Sequence, residues 1–178
     1  TMPFSLYGIG SVQEEIGLRG AGTAAWAIDP DVALIVDVGI SRDTPGIDAP
    51  GERLGGGVAI DVYDAGMIPN KGFLSLVIET AERNKIKYHL SSMDRGATDA
   101  GRVHMSRYGV PTVSIGPPSR YIHSHNSIIS RKDYDACIKL IMAVLKQLDQ
   151  KTVEGFTGLR AGSKTTAKKT TKKVGGRK

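Results

Sequence analysis

Short apolar runs alternate along this chain with segments whose apolar residues recur every three or four positions. The runs predict strands at residues 4–13, 33–38, 58–62, 88–92 and 110–115. The helical spacing predicts helices at residues 19–28, 70–84, 98–108 and 130–148. Strands interleaved with helices favour an α/β layered sheet, in which ligands bind in loops at the carboxyl ends of the strands.

Residues typical of turns and of helix caps lie between the predicted strands and helices. Residues 40–57 are rich in Gly and Pro and are predicted to form a loop, and Pro117-Pro118 predicts a turn. Ser130 with Asp133 three residues later predicts a capping box at the start of the last helix. We expect Cys137, the single cysteine, to pack in that helix as a small apolar residue.

The net charge of +6 is unevenly distributed. Residues 151–178 hold nine Lys and Arg against one acidic residue, Glu154, which leaves residues 1–150 with a balance of −2. We therefore expect a folded domain at 1–150 and a disordered, low-complexity basic tail at 151–178. No apolar run approaches the length of a membrane span and no secretory signal is evident, so a cytoplasmic location is expected.

Two acidic residues, Glu14 and Glu15, follow the first predicted strand. Neighbouring side chains on an extended backbone point in opposite directions, so one carboxylate could hold a metal while the other reaches the metal-bound water. Asp37 is a lone carboxylate in an apolar strand, where a buried charge is costly unless it is paired. A bound cation would pair it; on the alternative interpretation, backbone amides or an arginine satisfy it.

Two further segments carry candidate chemistry. His123 and His125 lie in the loop after the last predicted strand. Histidines in loops commonly face solvent, but together with carboxylates they form a ligand set suited to Zn, Co or Mn. Thr98 and Asp99 lie in a glycine-containing loop that enters a helix, and a purely structural role for Asp99 near the helix dipole is equally compatible. No serine occupies a nucleophile elbow, and Gly55-Gly56-Gly57 precedes a strand instead of following one, which disfavours a phosphate-binding loop.

Four motifs occur in this order: Val12-Gln13-Glu14-Glu15-Ile16-Gly17-Leu18-Arg19-Gly20-Ala21, Val36-Asp37-Val38, Ala97-Thr98-Asp99-Ala100-Gly101 and Arg120-Tyr121-Ile122-His123-Ser124. Together they resemble the cytosolic dinuclear metallo-aminopeptidases, which include glutamyl, deblocking and tetrahedral aminopeptidases and some proteins labelled endoglucanase. The resemblance extends from about residue 4 to residue 148. It implies a three-layer αβα sheet of the zinc-exopeptidase type.

The resemblance also implies roles for individual residues. Glu14 matches the general base that activates water, Glu15 and His123 match ligands of one metal, and Asp37 matches a ligand of the other. Thr98 and Asp99 match a loop lining the site, without an assigned catalytic role. The implied cofactors are two divalent ions (Zn, Co or Mn), and the implied partners are peptide substrates and further copies of the same chain.

The matched motifs correspond to the C-terminal portion of such an enzyme. The preceding portion of the family supplies a histidine ligand, an aspartate that bridges both metals and a small β domain used in dimer formation. We therefore expect this chain in isolation to hold an incomplete dinuclear centre and to be inactive. Two alternatives stay open: a non-catalytic domain whose basic tail binds nucleic acid or anionic partners, and, more weakly, an endoglucanase.

Overall fold

The computed structural model describes residues 2–47 and 49–157. The strands are, in chain order, β1 (Ala33–Val36), β2 (Gly39–Ile40), β3 (Val58–Asp64), β4 (Tyr88–Met93), β5 (Thr112–Gly116), β6 (Pro118–Arg120) and β7 (Ile128–Ile129). The helices are α1 (Arg19–Ile28), α2 (Lys71–Arg83), α3 (Ala100–Val103), α4 (Arg131–Leu145) and α5 (Gln150–Thr157). No helix within the described ranges is long and apolar enough to cross a membrane.

The strands form a four-stranded sheet and a small three-stranded one. The larger sheet has the order β1-β5-β3-β4, with β1 parallel to β5, β3 parallel to β4, and β3 antiparallel to β5. The smaller sheet has the order β2-β6-β7, in which β2 is parallel to β6 and β6 is antiparallel to β7. Because β1 leads into β2 and β5 into β6, the small sheet continues from one end of the large one.

Helices cover both faces of the larger sheet. On one face α2 and α4 pack on β3 and β5 around a core that includes Ile60, Phe73 and Leu140. On the other face α1 and α3 pack on β1, where Ala33 and Ile35 contact them while Leu34 points to the opposite core. The predicted α/β class with helices on both sides of a sheet is confirmed. Cys137 is buried in the first core, as predicted, and burial raises the pKa of its thiol to about 12.

The strand predicted at residues 4–13 is wrong. This segment pairs with none of the described strands, and its apolar side chains are exposed: Leu6, Tyr7, Ile9 and Val12 keep 53–67% of their surface accessible. A strand requires a neighbour for its backbone hydrogen bonds. Residues 4–13 do not use the free edge of the larger sheet for this purpose, since β1, the strand at that edge, pairs only with β5 among the described strands.

Two other local predictions are corrected. The helix predicted at 98–108 is reduced to α3. After α3 the N–H groups of Ser106 and Gly109 donate to carbonyls only three positions back, as in turns, and Arg107 has a φ of +51°, which a right-handed helix does not accommodate. The turn predicted at Pro117-Pro118 is instead the start of β6. Pro118 is tolerated there because the first residue of a strand need not donate to the ladder.

The capping box predicted for α4 is absent. Ser130 precedes the helix without a side-chain cap bond to any described residue, and the carboxylate of Asp133 turns toward the glycine triplet instead. Asp133 accepts the backbone N–H of Gly55 at 2.7 Å and that of Gly57 at 2.9 Å. A Cβ at Gly57 would lie 2.1 Å from the carbonyl oxygen of Lys87, so the triplet is needed for close backbone approach.

Ordered structure crosses the predicted domain boundary at residue 150. Helix α5 spans that position, and its Phe156 stacks on Phe73 of α2 with ring centroids 5.2 Å apart. Asn70 donates to the Phe156 carbonyl at 3.0 Å and joins the same two helices. Most of the predicted basic tail, residues 158–178, lies outside the described residues, as does the nucleic-acid contact predicted for it.

Candidate active site

Glu14 and Glu15 lie in a tight turn before α1 instead of at the end of a strand. The N–H groups of Gly17 and Leu18 donate to the Glu14 carbonyl at 3.1 and 2.8 Å. Gly20 allows the preceding residues to cross the start of α1, because a Cβ at that position would lie 2.5 Å from the carbonyl oxygen of Val12. The turn gives the two carboxylates different environments: Glu14 is half-buried, whereas the side chain of Glu15 is 75% exposed.

Asp37 follows the carboxyl end of β1, one residue beyond the strand. Its N–H donates to the Ile115 carbonyl at 3.1 Å, which extends the pairing with β5. A Cβ at Gly116 would lie 1.5 Å from the Asp37 carbonyl oxygen, so glycine is required there. The carboxylate Oδ1 accepts the N–H of Val38 at 2.7 Å, and the side chain remains half-buried.

His123 lies in the loop between β6 and β7. Its Nε2 is 3.6 Å from Oε2 of Glu15, and the imidazole is 73% exposed. This contact joins the first and last of the four sequence motifs. His125, two residues later, is also exposed and has no ion pair with the described part of the chain.

Thr98 and Asp99 have separate roles in the structure. Thr98 is buried, and both its N–H and its hydroxyl donate to Oδ2 of Asp64, at 3.4 and 3.0 Å. Asp99 directly precedes α3 but makes no side-chain cap bond there; its Oδ2 accepts the hydroxyl of Ser11 at 2.5 Å. This bond joins the otherwise exposed segment that leads into Glu14 to the loop before α3.

The electrostatics show that four carboxylates share one region. Burial raises the pKa of Glu14, and the negative charges of Asp37, Asp99 and Glu15 raise it further. The pKa of Asp37 is also raised, mainly by burial and then by Asp99 and Glu15, although the Val38 N–H partly offsets this. No Lys or Arg in the described part of the chain forms an ion pair with Glu14, Asp37 or Asp99.

The donor set suits a divalent cation. A cation would relieve the mutual repulsion of these carboxylates, and carboxylate with imidazole is a donor set that Zn, Co and Mn accept. The 3.6 Å between Glu15 Oε2 and His123 Nε2 is close to the separation of about 3.4 Å expected for two ligands of one tetrahedral ion. Within residues 2–47 and 49–157, however, no three His, Cys, Asp or Glu side chains converge on a single metal position.

The structure adds residues that the sequence reasoning missed. Ser11 and Asp64 hold the site loops through Asp99 and Thr98, and no sequence motif marks either contact. Asp61, on β3, is buried, and burial raises its pKa to about 6 while the hydroxyls of Ser114 and Ser91 partly offset the shift. A carboxylate in an apolar strand was the signal that singled out Asp37, and the same signal applied to Asp61.

Carboxylates and a histidine gathered beyond the strand ends of an α/β sheet are typical of metal-dependent hydrolases. The sequence supports this class independently, because residues 1–140 match the family described as M42 glutamyl aminopeptidase. The chain belongs to that family.

Individual relatives agree with this assignment. The chain is 46% identical to a TET aminopeptidase of the marine sediment archaeon Thaumarchaeota archaeon SCGC AB-539-E09, over 88% of this chain and 44% of that one, with a TM-score of 0.85. It is 36% identical to the glutamyl aminopeptidase of Lactococcus lactis subsp. cremoris, over 85% of this chain and 42% of the relative. The TET1 peptidase of Pyrococcus horikoshii, which can assemble into a tetrahedron or an octahedral shell, is 26% identical over 78% of this chain and 40% of that one, with a TM-score of 0.59. The chain thus spans less than half the length of the relatives it matches.

Proposed function

We propose that this chain supplies the general base and part of the metal-ligand set of a metal-dependent aminopeptidase. Glu15 and His123 would hold one divalent ion and Asp37 a second, while Glu14 would remain free for proton transfer. The 3.6 Å contact between Glu15 and His123 is the observation that carries the proposal, because it joins two segments that are more than one hundred residues apart in sequence.

Bound divalent ions would polarise the attacking water and the scissile carbonyl. Glu14 accepts the proton of that water and returns it to the leaving amine. Its raised pKa supports this role, because a base whose pKa lies nearer to neutrality holds the proton longer and releases it more readily to the amine. Burial, the first cause of the raised pKa of Glu14, does not depend on the charge of Asp37, which a bound ion would offset.

The test is a chimera in which this chain replaces the corresponding part of the 46%-identical archaeal TET aminopeptidase. We expect metal-dependent release of p-nitroaniline from aminoacyl p-nitroanilides when Zn²⁺, Co²⁺ or Mn²⁺ is added. Glu14→Gln should lower kcat by at least 10²-fold with bound metal unchanged, since a general base contributes about 10²–10⁴-fold. Glu79→Gln, an exposed glutamate on α2, is the matched control and should retain full activity.

A chimera that folds and binds metal but releases no p-nitroaniline would overturn the proposed peptidase activity. Equal activity in Glu14→Gln and Glu79→Gln would overturn the role of Glu14. We further propose that the complete enzyme forms a homo-oligomer, as the Pyrococcus horikoshii TET1 peptidase does. Light scattering of the chimera at several protein concentrations tests this, and a monomer at all of them would contradict it.

A further inference from the structure

His123 lies in a hairpin loop that extends from the small sheet. β6 and β7 pair with Arg120 opposite Ile128, so residues 121–127 connect them. Tyr121 and His123 have φ values of +60° and +62°, a left-handed conformation that strains residues carrying a Cβ. A turn around His123, in which the N–H and the hydroxyl of Ser124 donate to the Tyr121 carbonyl at 3.2 and 2.7 Å, holds the strained residues in one shape. The contacts at the base of the loop then decide where this turn points.

The base of this loop is joined to the chain after β2. The Arg120 guanidinium donates from Nε to Oδ1 of Asp43 at 3.0 Å and from Nη2 to Oδ2 at 2.7 Å. The Ser41 hydroxyl donates to Oδ1 of the same carboxylate. These hydrogen bonds, those from Arg120 above all, hold the pKa of Asp43 well below its usual range, so the pair is fully ionised near neutral pH.

The ion pair is oriented as well as charged. A bidentate guanidinium–carboxylate pair fixes both partners in one plane, which a single contact does not. It is also partly shielded from solvent, with 15% of the Asp43 side chain and 29% of the Arg120 side chain exposed. The backbone reinforces it, because the Ser41 N–H donates to the Ser119 carbonyl at 2.9 Å.

We propose that Asp43, acting through Arg120, is the residue that positions His123 for metal binding. Neither His123 nor its partner Glu15 is held by burial, since both side chains are more than 70% exposed. The direction in which the chain leaves Arg120 therefore decides where His123 lies relative to Glu15. Outer partners that orient a metal ligand typically change metal affinity by about 10–100-fold when removed. This inference rests on the proposed function, in which His123 is a ligand.

The experiment is a Co²⁺ titration of the full chain, followed by the paramagnetic effect on the His123 imidazole signals in NMR spectra. We expect Asp43→Asn to raise the Kd for Co²⁺ at His123 about tenfold. Arg120→Lys keeps the positive charge but loses the bidentate geometry of the guanidinium, so we expect a smaller rise in the Kd for Co²⁺. Asp135→Asn is the matched control, because it removes a carboxylate from the exposed pair with Arg131 and should leave the Kd unchanged.

Hydrogen exchange provides a second readout. Amides of residues 121–127 should exchange faster in Asp43→Asn, while those of α4 should be unchanged if the fold is intact. If Asp43→Asn does not fold, Arg120→Lys decides the question. Equal Kd values in the wild type and both variants would overturn this inference alone. A wild-type chain in which Co²⁺ leaves His123 unaffected would also overturn this inference, whereas the proposed function is tested separately by the chimera.

Discussion

Replacement of Asp133 by alanine should destabilise the fold even though this residue is far in sequence from the loop it holds. Its carboxylate is 1% exposed and accepts two backbone N–H groups, from Gly55 and Gly57. In Asp133→Ala the buried Gly57 N–H loses its partner, and the partly buried Gly55 N–H is left to water.

The magnitude follows from the cost of an unsatisfied buried donor, about 1–3 kcal/mol for each group. With one donor fully buried and one partly so, we expect the free energy of unfolding to fall by about 3 kcal/mol, which lowers the Tm by about 6–12 °C for a domain of this size. Asp133→Asn keeps one acceptor oxygen but directs an NH₂ group at the other donor, so about half of that loss is expected.

The assay is urea denaturation followed by circular dichroism, with Asp135→Ala as the matched control. Asp135 lies on the same helix but pairs with Arg131 at the surface, and such pairs contribute less than about 1 kcal/mol. Faster amide exchange at Gly55 and Gly57 should accompany the loss of stability. Unfolding midpoints that agree between Asp133→Ala and Asp135→Ala would refute the reasoning.

Three further changes test other contacts. Phe156→Ala removes the half-buried ring stacked on Phe73 and should lower the free energy of unfolding by about 2 kcal/mol in urea denaturation. Asp61 has a pKa raised from 3.8 to about 6, so the folded protein binds a proton more tightly than the unfolded chain between those pH values. Stability should therefore fall by about 2 kcal/mol as pH rises from 4 to 6, and Asp61→Asn should remove that fall in thermal unfolding. Ser11→Ala breaks the 2.5 Å bond to Asp99 and should lower the local opening free energy of residues 11–17 by about 1 kcal/mol, measured by amide exchange.

Each of these three predictions has a result that would contradict it. Lys151→Ala, on the exposed side of α5, is the control for Phe156→Ala, and equal stability of the two would mean that α5 contributes nothing. A wild type and Asp61→Asn with parallel stability curves from pH 4 to 7 would contradict the pKa of Asp61. Unchanged exchange at residues 11–17 would show that backbone contacts, not Ser11, hold that segment.

Much of the fold follows from local sequence. The apolar spacing of α1 and α2, the runs that form β3 and β5, and the burial of Cys137 each depend on residues within one or two turns or within one strand. Periodicity reports which face of an element is buried, so such elements can be recognised without their neighbours. The family followed from four ordered motifs, and residues 1–140 match it.

The errors occur where the presence or absence of a distant partner, and not the local signal, decides the structure. Residues 4–13 have the composition of a strand, but no described strand pairs with them. Asp133 has the spacing of a capping box, but one buried and one partly buried N–H group, 76 and 78 positions away, compete for its carboxylate. A local cap saves only one exposed hydrogen bond, whereas the buried Gly57 N–H would otherwise remain unsatisfied.

The candidate site divides in the same way. The sequence by itself determined which residue types could act, since Glu14, Glu15, Asp37 and His123 were marked by their motifs. Only the tertiary structure decided that Glu14 is half-buried while Glu15 faces His123, and that Ser11 reaches Asp99 across 88 positions. Side-chain burial and long-range hydrogen bonds depend on the path of the whole backbone, which no short stretch of sequence encodes.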